Sequence, residues 1–82
     1  MCETLCLSAL REGESGYVLQ IHAQPAMKRR LADLGLIRGT RVTCVARSPA
    51  GDPVAYLIRG ALIALRRMDA EGILLERQAV AP

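Results

Sequence analysis

The side chains in this sequence that could do chemistry are few and scattered. There is one histidine, His22, and there are three cysteines, Cys2, Cys6 and Cys44. General acid–base work by His22 would need a partner to orient it, and no acidic residue lies near it in sequence. A lone histidine on the polar side of a strand is most often simply solvated. Cys2 and Cys6 are spaced such that two thiolates, with His22 and a carboxylate, could complete a tetrahedral site for zinc or iron. The pattern has no second cysteine pair, so inward-facing structural thiols are the plainer reading. Cys44 sits in an alternating stretch where a buried, inert thiol is expected. Ser48 lies in a turn with no base at hand. The stretch "GLIRGT", Gly35 to Thr40, has two glycines but lacks the Lys-Ser/Thr of a phosphate-cradling loop. These residues therefore point to a protein that is not an enzyme and holds no obligatory cofactor.

The positive groups are better organised. Lys28, Arg29, Arg30, Arg38 and Arg41 fall around one glycine-containing corner. A solvated face is the plain reading of such a run, and a docking patch for an acidic or phosphate-bearing partner is the functional one. Small β-barrels bind single-stranded nucleic acid by stacking bases on aromatic side chains in a basic groove. Here the aromatics are only Tyr17 and Tyr56, with no Phe and no Trp. That shortage argues against nucleic acid and against a proline-rich peptide groove, which is aromatic-lined.

What must position these groups is a small scaffold. With 82 residues there is room for one domain, residues 1–82, with residues 1–4 and 78–82 read as tails. Half the residues are apolar (51%), so the chain can collapse around Leu, Val, Ile, Ala and Met. A core of that size leaves a narrow margin that partner binding or self-association often supports. The longest apolar run, Ala61 to Leu65, is far short of the roughly 18 residues a membrane span needs. The N-terminus carries Glu3 and no basic cluster, unlike a secretory leader. An odd number of cysteines suits a reducing compartment. A cytoplasmic location is expected. The net charge of +3 permits an acidic partner or a membrane surface without demanding either.

Along the chain, "TLCLSAL" reads as a short first strand or a tail, and "REGESG" as a turn. "YVLQIHA" reads as a strand with Tyr17, Leu19, Ile21 and Ala23 on one face and Val18, Gln20 and His22 on the other. Pro25 suits the first turn of a helix. Met27, Leu31 and Leu34 then form one apolar stripe. Gly35 is a natural residue for the left-handed C′ position, which places Leu36 at C″ against Leu31 at C3 in a Schellman ending. A strand through Val42 and Cys44, the turn "SPAGDP", a return strand "VAYLIRG", a strand "ALIALRR", one helical turn in "MDAEG" and a last strand "ILLE" complete the chain. The sum is a mainly β, SH3-like barrel or half-open roll of five or six strands, with one short α-helix between the second and third. Closing it would remove exposed strand edges.

The stretches "RRLADLGLIRGTRVTCV", "SPAGDPVAYLIRG" and "ALIALRRMDAEGILLE", in that order, resemble the FeoA family, ferrous iron transport protein A. The matching pieces are Arg30-Leu31, Leu34-Gly35, Gly39-Thr40, Pro49 to Pro53, Leu65-Arg66 and Asp69-Ala70. The resemblance implies an SH3-like barrel in the cytoplasm, at the membrane only through its partner. It implies an accessory role in bacterial ferrous iron uptake, docking on the GTPase part of a membrane transporter and modulating it. The same fold unit ends metal-dependent repressors of the diphtheria toxin repressor type. With no DNA-binding helix-turn-helix ahead of it here, the transport role is preferred. Cys2, Cys6 and the second acid of "REGESG" depart from the family pattern. The contact surface expected is Lys28, Arg29, Arg30, Leu34, Leu36, Ile37 and Arg38. The rival readings are a metal-responsive, oligomerising module binding Fe or Zn through Cys2, Cys6 or His22, and a nucleic-acid-binding barrel.

Overall fold

The computed structural model describes residues 4–77. The chain runs β1 (Thr4–Cys6), a 3-10 turn (Leu7–Ala9), β2 (Ser15–Ile21), α1 (Pro25–Asp33), β3 (Arg41–Arg47), β4 (Val54–Ile58), β5 (Ala61–Leu65), α2 (Arg67–Ala70) and β6 (Ile73–Arg77). Thr4, read from the sequence as tail, is the first residue of β1, and the rest of both tails lies outside the described residues. The helix falls between the second and third strands, as the pattern implies, and the acidic-Ala stretch makes the single short turn of α2.

All six strands pair antiparallel in the order β1-β6-β2-β3-β4-β5. A flat sheet of that width would span roughly 24 Å, because neighbouring strands lie about 4.8 Å apart. Yet Val18 of β2, Tyr56 of β4, Leu65 of β5 and Leu75 of β6 belong to one buried cluster. The sheet must therefore curl around its own inner face. Two β-bulges supply the bend: register shifts between Val18 and Gln20 against β6, and between Cys44 and Ala46 against β4.

The first bulge also corrects the reading of β2. Val18, expected on the polar side, is 1% exposed and in the core, whereas Tyr17 is 40% exposed. The extra residue then resets the phase, so Ile21 leans onto the core from the other parity. A strict two-residue period cannot register this. In β3 the alternation holds through Val42 and Cys44, both buried, and fails after the bulge, where Val45 and Ala46 are exposed.

With no Phe or Trp available, Tyr56 is the largest fully buried side chain. Its hydroxyl donates to the Leu7 carbonyl at 3.4 Å, which seats the 3-10 turn over the core. Burial pushes the Tyr56 phenol up to about 12, with the Cys44 thiol adding to the effect and Arg47 opposing it. Burial likewise raises the Cys44 thiol. The second acid in "REGESG" has a structural use. Glu14 accepts the Arg11 N–H at 2.8 Å and pairs with Arg77 at 3.6 Å, closing its own turn and tying it to β6.

The roll is half-open. Among the described residues, β5 pairs with β4 alone, and the ladder ends there.

Candidate partner-docking surface

The corner after α1 is built as its residue types dictate. Pro25 occupies the first turn. At the other end the Leu36 N–H bonds the Leu31 carbonyl and the Gly35 N–H bonds the Ala32 carbonyl, both at 2.9 Å. These are the two bonds of a Schellman ending. Gly35 stands at φ +94°, where a Cβ would clash with its own backbone. Leu31 and Leu36 are 2% and 0% exposed and pack into the core together.

Thr40 locks the loop that follows. Its hydroxyl donates to the Gly35 carbonyl at 2.9 Å, and its backbone N–H bonds the Ile37 carbonyl at 3.0 Å. The sequence marks Thr40 only as the opening of a strand, and nothing local signals that its side chain turns back across five residues.

The expected contact residues divide under this geometry. Leu36 is the one the structure removes: it is fully buried and supports the corner from beneath rather than presenting itself. Ile37 and Leu34 are exposed, at 45% and 40%. Lys28, Ile37 and Arg38 border a cavity of about 290 Å³ between α1 and β2, floored by Leu19 and Ile21. Arg30 and Leu34 border a second, of about 350 Å³, between α1 and β5. The helix is thus a ridge between two grooves, with Arg29 on its exposed surface.

Arg59 belongs with these residues and sequence reading passes over it. Arg59 and Gly60 form the two-residue turn between β4 and β5, at φ +50° and +81°. Such turns need φ > 0 at both positions and favour Asn-Gly. The Arg59 side chain lies across the corner, so a Cβ on Gly35 would come within 2.7 Å of its Cδ. Helix end and hairpin tip are in this way one surface. No ion pair engages Lys28, Arg29, Arg30, Arg38 or Arg59 among the described residues.

The other candidates do not assemble. His22 is exposed in the loop after β2, and its N–H bonds the Gly72 carbonyl at 2.7 Å. Cys6 is partly buried in β1, and Cys2 lies outside the described residues. Among the described residues no three of His, Cys, Asp and Glu gather as a metal cluster. The Ser48 Oγ is buried without a hydrogen-bond partner, so no base activates it. With Tyr56 in the core, Tyr17 alone offers an aromatic face to solvent.

The FeoA domain model matches residues 5–77. The chain belongs to the FeoA domain family. That family is associated with ferrous iron transport. A Porphyromonas gingivalis protein, an Fe(2+) transport protein A/Fe(2+) transporter FeoB fusion protein, is 31% identical over 70 residues, covering 85% of this chain and 8% of that protein. The solution structure of FeoA from Chlorobium tepidum superposes with a TM-score of 0.88 at 40% identity, over 92% of this chain and 71% of that one. The crystal structure of Stenotrophomonas maltophilia FeoA complexed with zinc, described as a prokaryotic SH3 domain protein, gives 0.72 at 32% identity, over 87% and 88%. A manganese-dependent transcriptional repressor gives 0.83 at 26% identity, over 95% of this FeoA domain and 44% of the repressor. The SH3-like reading of the fold holds.

Proposed function

We propose that this FeoA domain works without catalysis, by docking on the cytoplasmic GTPase part of a membrane ferrous iron transporter and modulating it. One observation carries the reading: in the P. gingivalis relative, transport protein A and transporter FeoB are joined in one chain. Fusion converts an association between two proteins into an intramolecular one at high effective concentration. It is of use only to partners that meet. The geometry supports the same reading. The corner carries exposed Leu34 and Ile37 amid guanidinium groups, and no reactive constellation is present among the described residues. None of the described helices is long and apolar enough to cross a membrane, so the reading has the chain reach the membrane through its partner, from the cytoplasm.

The test is calorimetric titration against the purified cytoplasmic domain of the transporter. Arg29→Glu with Arg30→Glu reverses two exposed charges and should weaken binding on the order of tenfold, with the circular dichroism spectrum unchanged. Unaltered affinity removes this face from the contact. Absence of binding by the wild-type chain removes the reading itself.

A further inference from the structure

The half-open roll leaves β5, "ALIAL", as an edge strand without a charge or a proline to guard it. Proteins usually blunt such edges, because unpaired N–H and C=O groups template the addition of another strand. Here the edge opens onto the groove between β5 and α1. Met27, Leu34, Ile63 and Leu65 line that groove, and Arg30 and Arg66 stand on its rim. Asp69, in α2, also lines it. The two-residue hairpin makes Ile58 and Ala61 a hydrogen-bonded pair, so Ala61, Ile63 and Leu65 bond β4. The backbone groups of Leu62 and Ala64 then face outward. Leu62 is 64% exposed.

We infer that the free edge of β5 takes an extended segment of a partner protein as a seventh, antiparallel strand. Apolar residues at alternate positions of that segment seat in the α1–β5 groove, and carboxylates meet Arg30, Arg59 and Arg66. Charge decides between this occupant and a second copy of the chain. Arg30 and Arg66 line the groove and Arg59 stands in the turn at the end of β5, against the one carboxylate of Asp69. A second copy would bring the same cations to the interface, and an acidic segment brings their complement. The net positive border therefore favours an acidic strand over a second copy. This mode of addition supplies affinity through main-chain bonds and selectivity through alternate side chains.

The probe is a synthetic peptide alternating valine and glutamate, blocked at both ends and long enough to span the five residues of β5. Followed by amide hydrogen exchange, it should protect Leu62 and Ala64, whose N–H groups face away from β4. Ala64→Pro removes an outward N–H without touching the β4 ladder, and should abolish the protection at Leu62. The same peptide N-methylated at alternate positions should fail on the wild-type chain, which keeps the test valid if Ala64→Pro does not fold. Arg30→Glu with Arg66→Glu should weaken binding on the order of tenfold. Peptide binding that spares Leu62 and Ala64, or that survives N-methylation, overturns the inference. So does protection of those amides that grows with protein concentration alone, which would mean self-pairing. Because no transporter is present, the result is separate from the docking reading: either can fail while the other stands.

Discussion

At the scale of single residues, the corner depends on Gly35. Replacing it with alanine places a Cβ at φ +94° and 2.7 Å from Arg59 Cδ. The left-handed conformation alone costs a non-glycine residue about 1–2 kcal/mol. Gly35→Ala should lower the urea unfolding free energy by about 1–2 kcal/mol, and because the Arg59 side chain can swing aside, Arg59→Ala in the same background should restore little of it, as a double-mutant cycle would show. Tyr56 gives a pH dependence of definite sign. Its phenol is pushed up to about 12 in the fold by burial, and the Cys44 thiol is raised for the same reason. Both groups are neutral when protonated, so their contribution is whole below the unfolded values of about 8.5 for cysteine and 10 for tyrosine. It is lost as pH climbs above those values, the tyrosine part over the range up to about 12. The tyrosine part amounts to about 2–3 kcal/mol by linkage. Urea unfolding from pH 8 upward should show the decline, and Tyr56→Phe should flatten it.

At the scale of elements, α1 is the loosely held piece. Leu31 is its one fully buried residue, with Met27 leaning on the core beside it. Elements with few buried contacts open at lower free energy than the strands they rest on. Hydrogen exchange should accordingly release the α1 amides by local opening well below the free energy that frees β3 and β4. Leu31→Ala should cost about 2–5 kcal/mol and uncouple the helix first. The ending of α1 was legible in the sequence because a Schellman motif is local: Leu31, Gly35 and Leu36 lie within a stretch of six residues. The facing of β2 was not, because a bulge shifts the phase by one residue for the sake of a neighbour, β6, more than fifty residues away. The expectation of Leu36 at the contact surface fails for a related reason. Position after a helix marks the bend, but the hydrophobic partner of C3 in that motif goes inward. The open edge of β5 was the least legible feature, since whether a ladder closes depends on its two ends meeting in space.

At the scale of the whole molecule, the formal charge of +3 is not evenly spread. Four carboxylates serve the fold: Glu12 accepts the Arg47 N–H, Glu14 closes its turn and reaches Arg77, Asp52 accepts the Arg67 N–H, and Glu71 pairs with Arg67. The cations around α1 and the β4–β5 tip have no such duty among the described residues. One end of the molecule thus keeps its charge for something outside. Exposed charges of that kind govern encounter more than residence, and salt screens them over about 10 Å at 0.1 M. The association rate with the transporter's cytoplasmic domain should therefore fall several-fold between low and physiological salt, while the dissociation rate barely moves. Arg29→Glu with Arg30→Glu should flatten that salt dependence. If β5 also pairs with the partner, Ala64→Pro should do the opposite, raising the dissociation rate and leaving the salt slope intact. Stopped-flow traces of the two variants separate steering from grip. A wild-type association rate indifferent to salt would mean that the basic end faces something other than its partner.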